Sequence, residues 1–578
     1  MLTHIAAVLA LGGLVAAQAT SLSDLCTSSY ASSALPTEDL NLGITINRDS
    51  VTTSLTLNQT VTSQWFPRSV VSYCNVTFAY SHLGLANDLV HVTYLVPDPS
   101  IFSNRYVSTG GGGLAINSGI SFAATGLIVG AVSGMTDGGF GSFSTQYDAV
   151  SLLAPGVLNY QELYMFGYLA HHELAVLGKA FTANLFSVAS SEKIYSYYQG
   201  CSEGGREGWS QAQRFAEQFD GLVTGAPALR FGQLQVNHLS GGVIEKQLGY
   251  VPPTCELEKI RNLTIVACDG LDGKIDGVVA RSDLCKLHFN YNSTIGTPYS
   301  CAARSGGGPG GPPGGGSTTP AQNGTITAQG VAVAQAFTDG LIDSRGKQVY
   351  FNPQPSSNFA DAQATYNSTT GTWQPPISSL GGEWVVRWLK LQDASNLASL
   401  DNVTVDTLRD WMNLGMQKYY DSLQTTWPDL SYFSAAGSKI LHVHGEADSS
   451  IPAGSSVHYY QAVRGTMFGD LSNDDDRTAA MDDFYRLFIV PGGEHCGSNS
   501  AQPNGGWPAT TLQTVIEWVE DGVAPATLSN TGTGIGSLCR WPLRPMWAGN
   551  GTNMNCFYDQ ASVDAWTWKF DAFDFPVY

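Results

Sequence analysis

The chain has 578 residues, 43% hydrophobic and only 13% charged, the composition of a folded protein able to bury a large core without covalent staples. A net charge of -20 and a pI near 4.8 argue against nucleic acid or an anionic membrane surface as a partner, since either requires clustered Lys and Arg. Ten cysteines fit five disulfides in an oxidising compartment, although the count alone does not pair them.

In chain order, the first segment is apolar from Ile5 to Ala17 and ends in Ala17-Gln18-Ala19, a small-x-small cleavage pattern. It is shorter than the ~20 residues needed to span a bilayer. Residues 1–19 therefore read as a signal peptide, and the protein as secreted. Asn58, Asn75, Asn262, Asn292, Asn323, Asn367, Asn402 and Asn550 each head an Asn-x-Ser/Thr sequon, and these eight are expected on the surface as glycosylation sites.

Residues 20–230 alternate strand-like and helix-like stretches, with strands expected over 89–95 and 105–108. The same texture returns in 436–578, with strands over 439–444 and 486–490 and a helix over 515–521. Alternation of this kind predicts an α/β fold with a mainly parallel sheet covered by helices. The intervening 231–435 is richer in Asn, Gly and Ser and reads as an inserted lid domain. Its tract 305–317, almost entirely Gly and Pro, reads as a flexible loop.

The sharpest chemical signal is Gly200-Cys201-Ser202-Glu203-Gly204-Gly205, between a strand-like 194–198 and a helix-like 206–219. Strand, tight turn and helix are the context of a nucleophile elbow, and small residues at 200 and 204 let the turn lift Ser202 clear of its neighbours. A serine hydroxyl needs a base oriented by a carboxylate. In this architecture acid and base follow the nucleophile, each in a loop after a late strand. Asp448 and His495 meet that requirement, whereas His171 and His172 fall in a helix and His442 and His444 within a strand. Glu446 is the rival acid and a candidate contact for the substrate.

Cys201 precedes Ser202 and Cys496 follows His495, so contact between serine and histidine brings the two sulfurs together; a Cys201–Cys496 disulfide is expected. For the oxyanion, one donor is the backbone N–H of Glu203. The second comes from the Gly110–Gly113 run, with Gly112 or Gly113 the candidates. Asp269, Asp272 and Asp276, interleaved with glycines, resemble a calcium loop completed by the Lys274 and Val278 carbonyls; a run of Asp-Gly turns without metal is equally compatible.

The pairs Cys201-Ser202 and His495-Cys496, with Asp448 and the wording of 197–208 and 252–257, resemble the fungal tannases of the tannase and feruloyl esterase family over essentially the whole mature chain. The resemblance implies an α/β-hydrolase fold with a large inserted lid that binds Ca2+ through Asp269, Asp272, Lys274, Asp276 and Val278. It also pairs Cys26 with Cys74, Cys268 with Cys285 and Cys539 with Cys556, which leaves Cys255 for Cys301. Some relatives are cut in the middle after a dibasic pair; the Gly-Pro tract here has none, which argues against such processing.

The reading is thus a secreted serine esterase that releases gallate from galloyl esters and depsides of tannins through an acyl-enzyme, with no redox cofactor. A feruloyl esterase acting on hydroxycinnamate esters is the enzymatic alternative. A catalytically silent binding protein on the same scaffold is the alternative from another class.

Overall fold

The computed structural model describes residues 21–37, 40–305, 318–549 and 551–578. Residues 1–19, expected as a signal peptide, the Gly-Pro stretch 306–317 and the Asn550 sequon lie outside them. A nine-stranded sheet organises the chain. Its strands in sequence order are β1 (Ile44–Val61), β2 (Ser69–His82), β3 (Val90–Pro97), β4 (Arg105–Thr109), β5 (Ala131–Thr136), β6 (Tyr195–Cys201), β7 (Gly221–Gly225), β8 (Lys439–Gly445) and β9 (Tyr485–Val490). Their spatial order is β1-β2-β3-β5-β4-β6-β7-β8-β9.

From β5 through β9 every pairing is parallel. These strands are nearly continuous runs of buried residues, as a sheet covered on both faces requires. At the other edge β1, β2 and β3 pair antiparallel, and β3 joins β5 antiparallel, so the sheet is mixed. The long β1–β2 hairpin, rich in Ser, Thr and Asn and largely solvated along β1, is the part that the alternating strand-helix expectation does not contain. The architecture is α/β-hydrolase-like.

Helix α1 (Ala170–Leu185) crosses between β5 and β6, α2 (Glu203–Arg214) follows β6, and α3 (Thr254–Cys268), α4 (Gly454–Phe468) and α5 (Thr511–Glu520) come later. The helix expected over 206–219 starts earlier and stops at Arg214, because Phe215 leaves helical geometry and a turn carries the chain into β7. The chain leaves the sheet after Gly225 and re-enters at Lys439 in the very next strand position, so β7 and β8 pair across the whole inserted segment. The regular structure described in that segment is mainly helical. Its Leu234, Trp384 and Met412 share one buried cluster with Ile440 and Leu487 of the sheet.

Two sequons depart from their expected place. Asn75 lies in β2 between β1 and β3, half-buried, with its Oδ1 buried and unbonded. Asn367 is half-buried too, whereas Asn58, Asn262, Asn292, Asn323 and Asn402 are exposed. A sequon records local sequence alone, and Asn75 falls where a strand has neighbours on both sides.

Candidate active site

Ser202 sits between β6 and α2 with φ 63° and ψ -120°, a conformation rarely adopted by a residue bearing a Cβ. Its N–H donates to the Gly225 carbonyl, 2.9 Å away on β7. The glycines around it are required by space. A Cβ on Gly200 would lie 2.4 Å from the Gly204 carbonyl oxygen, one on Gly204 2.7 Å from that of Gly111, and one on Gly205 2.5 Å from that of Gly225.

The expected acid and base converge on this turn. Ser202 Oγ lies 2.9 Å from His495 Nε2, and His495 Nδ1 lies 2.8 Å from Asp448 Oδ2. Asp448 is fully buried, and its Oδ1 accepts the N–H groups of Ser450 and Ile451, each at 2.9 Å. Burial drives its carboxyl upward, but the adjacent His495 and the hydrogen bonds from His444 and His495 outweigh that and hold it well below the usual carboxylate range. Burial opposes charge on His495, yet Asp448 and then Glu494 raise it above the ordinary imidazole value. With Asp448 an anion, His495 Nδ1 carries the hydrogen, which leaves Nε2 to accept from Ser202.

The cysteines pair as Cys26–Cys74, Cys201–Cys496, Cys255–Cys301, Cys268–Cys285 and Cys539–Cys556. The Cys201–Cys496 link joins the neighbours of Ser202 and His495, with Cα atoms 6.0 Å apart. A second clamp on the histidine loop escaped the sequence reading. Trp65 Nε1 donates to the Cys496 carbonyl at 3.1 Å, and the Ser498 N–H donates to Gln64 Oε1 at 2.6 Å. The insertion reaches the same loop, where Asn358 Nδ2 donates to Glu494 Oε1.

At the glycine run the expectation narrows. The Gly112 N–H is committed to the Ala115 carbonyl at 3.0 Å, because the chain folds into a tight two-way bridge there; Gly112 is therefore not a free donor. Gly113 is exposed, with φ 64° and open space around it. The run is tied to the elbow by Gly204 N–H donating to the Gly111 carbonyl at 3.1 Å, and by Gly111 N–H donating to Glu207 Oε2 at 2.8 Å. Glu203 opens α2, so its N–H belongs to the first turn, whose donors have no intrahelical acceptor.

Glu446, the candidate substrate contact, is engaged by the protein itself. It is fully buried, where its Oε1 accepts from Ser282 N at 3.1 Å, Ser282 Oγ at 2.5 Å and Arg544 Nη2 at 2.5 Å. The turn after β8 aims it beneath the acid loop as a strut to Arg544.

In the Asp-rich loop, Asp269 caps three backbone N–H groups, those of Asp276, Gly277 and Val278. Asp272 Oδ2 and Asp276 Oδ2 are buried without a hydrogen-bond donor, and Lys274 Nζ lies 3.2 Å from the latter. Desolvation pushes Asp272 up to about 7. Among the described residues no three His, Cys, Asp or Glu side chains form a ready-made metal cluster, so a cation here would draw on backbone carbonyls as well. A buried, unmatched Asp272 oxygen beside the Asp276 carboxylate fits a hard cation.

A family model described as "Tannase and feruloyl esterase" matches residues 74–561. The chain belongs to the tannase and feruloyl esterase family. It is 47% identical to the tannase of Aspergillus oryzae over 97% of both chains, and 31% identical to a probable feruloyl esterase of Arthroderma benhamiae over 84% of this chain and 85% of that one. Among solved structures it superposes on tannin acyl hydrolase from Aspergillus niger with a TM-score of 0.93 and 50% identity, covering 97% of this chain and all of the other. Feruloyl esterase B from Aspergillus oryzae, 24% identical over 89% of this chain and 97% of that one with a TM-score of 0.65, shares the fold.

Proposed function

We propose that this protein is a serine esterase that hydrolyses galloyl ester and depside bonds of tannins through an acyl-enzyme on Ser202. The observation that carries the reading is the continuous path from Ser202 Oγ through His495 to Asp448, with links of 2.9 and 2.8 Å, in a chain related along nearly its whole length to a tannase. Ser202 Oγ attacks the ester carbonyl while His495 Nε2 takes its proton, and Asp448 stabilises the imidazolium. The N–H groups of Glu203 and Gly113 receive the oxyanion. His495 then protonates the leaving alcohol and activates the water that releases the acid.

Around this centre, residues 231–435 serve as a lid, a role supported by Asn358 against Glu494 beside the base. Ca2+ would be held by Asp269, Asp272 and Asp276 with the carbonyls of Lys274 and Val278, and would supply the positive charge that the buried Asp272 Oδ2 lacks. Five disulfides fit secretion, and the five exposed sequons fit glycosylation there.

The test compares kcat/KM on methyl gallate and methyl ferulate for wild type and Ser202→Ala. Gallate preference with a loss of at least about 10^4-fold in the variant is expected. Preference for ferulate redirects the reading to the hydroxycinnamate esterase, and turnover surviving in Ser202→Ala ends it.

A further inference from the structure

Behind the acid of the triad lies a file of buried polar groups that the mechanism above does not use. His442 and His444 are two residues apart on β8 and so project to the same side of the sheet. Ser456 on α4 sits between them, and Tyr485 begins β9. All four are fully buried. His444 Nε2 lies 2.8 Å from the Ile451 carbonyl and 3.2 Å from Asp448 Oδ2. His444 Nδ1 is 2.6 Å from Ser456 Oγ, Ser456 Oγ is 2.8 Å from His442 Nε2, and His442 Nδ1 is 2.9 Å from Tyr485 Oη.

The order of hydrogens along this file follows from its closed end. Both partners of His444 Nε2 are pure acceptors, so this nitrogen carries a hydrogen. With one hydrogen on the ring, Nδ1 accepts, and Ser456 must donate to it. Ser456 Oγ, its hydrogen spent, accepts from His442 Nε2–H, and His442 Nδ1 accepts from the Tyr485 hydroxyl. Four successive donors thus point the same way, from Tyr485 toward Asp448. Burial holds His442 well below the ordinary imidazole value and Tyr485 well above the ordinary phenol value, so the former stays neutral and the latter keeps its hydrogen. Trp209 closes the file from the side, its ring edge-on to those of His442 and Tyr485 at 5.7 and 5.1 Å.

We propose that Tyr485, His442, Ser456 and His444 form a polarised hydrogen-bond chain that holds and partly neutralises the Asp448 carboxylate, so that these four are positioning residues for the esterase reaction. The proposal rests on the serine-esterase reading above. Aligned dipoles in a low-dielectric interior reinforce one another, and their positive ends all face the acid. The groups facing the acid and base are His444, His495, the Ser450 and Ile451 amides and Glu494, with Arg261 acting on Glu494; Arg230, Tyr459 and Tyr460 face Tyr485. None of them replaces a donor of the file.

The sign of the effect is fixed by charge. Without the chain, the Asp448 carboxylate draws more strongly on the His495 proton, His495 is protonated at higher pH, and the acid limb of kcat/KM moves up. Ser456→Ala cuts the file in the middle without touching the triad. It is expected to lower kcat on methyl gallate about 5- to 10-fold with KM within about two-fold, and to move the acid limb up by a few tenths of a pH unit. Tyr485→Phe, which removes only the far donor, shifts both in the same direction by less. A second measurement needs no variant: 15N spectra of histidine-labelled wild type are expected to place the hydrogens of both His442 and His444 on Nε2. Hydrogens on Nδ1, or a folded Ser456→Ala protein with an unchanged pH profile and kcat beside an active wild type, overturn the chain alone. A wild type without ester turnover removes the esterase reading and this proposal with it.

Discussion

The Cys201–Cys496 disulfide carries a prediction that separates fold from chemistry. Replacing both cysteines with alanine opens a loop spanning 295 residues, within which Cys255–Cys301 already shortens the free chain by 46. For an effective loop of about 250 residues the chain-entropy relation gives about 5.5 kcal/mol, and measured losses for native disulfides run about 2 to 5 kcal/mol. A loss of about 3 to 5 kcal/mol is expected. With an unfolding entropy of about 2.1 cal/mol/K per residue, that lowers the Tm of a chain this long by only about 2 to 4 °C. The effect on activity should be larger in proportion, because the disulfide sets the distance between nucleophile and base. Trp65, Gln64 and the Ala447 N–H, which donates to the Gly493 carbonyl at 2.8 Å, still hold the histidine loop near its place. Displacement of about 1 Å costs about 10^2-fold, so kcat on methyl gallate should fall about 10- to 100-fold. Steady-state kinetics and calorimetry on the double variant provide the check. A Tm within 1 °C of wild type together with kcat within two-fold would refute the view that this bridge joins the two halves of the site.

Glu207→Gln weakens the acceptor of the Gly111 N–H at 2.8 Å; a charged acceptor is worth roughly 1 kcal/mol more than a neutral one, so kcat should drop about 5-fold with KM little changed, and a rise in KM alone would argue against a role at the oxyanion loop. Glu494→Gln removes a carboxylate that raises His495; the base then loses its second proton at lower pH, and the acid limb of kcat/KM should move down by a few tenths of a unit, opposite in direction to Ser456→Ala. Asp448, whose folded value is depressed, contributes stability in full above its unfolded value near 3.9 and loses it only as pH falls toward the folded one, so an Asp448→Asn protein should show a flatter decline of Tm with acid than wild type. Chelation is expected to lower the Tm of wild type, with restoration by added Ca2+, and to leave Asp272→Asn unmoved; equal responses in both would place the cation elsewhere.

Much of the centre was legible because its chemistry is local. Gly200, Gly204 and Gly205 announce a crowded turn, and Asp448 and His495 each follow a β-rich apolar run that became β8 or β9. The hidden parts depend on distance. Trp65 meets Cys496 across 431 residues, and nothing around Trp65 in sequence marks it as a clamp. Glu446 is two residues from the acid and equally carboxylic, so only the direction of its side chain, inward to Arg544, separates strut from ligand. Gly112 and Gly113 are the same residue in sequence and are told apart by the local fold, which spends the Gly112 N–H on Ala115 and turns Gly113 to positive φ. The alternation of His442 and His444 was visible as two histidines on one side of a strand, but its meaning required Ser456 and Tyr485 from other elements.

The adjacency of β7 and β8 has a consequence for how the molecule comes into being. The serine turn and its strand exist once about 225 residues have been made, while the strand that pairs with β7 and the loops bearing acid and base emerge more than two hundred residues later. At ~5–20 residues per second that interval lasts on the order of 10 to 40 s. Throughout it the nascent chain carries a hydroxyl with no base beside it and a sheet with an open margin, so it is born unarmed and gains its chemistry only when its final quarter closes the sheet.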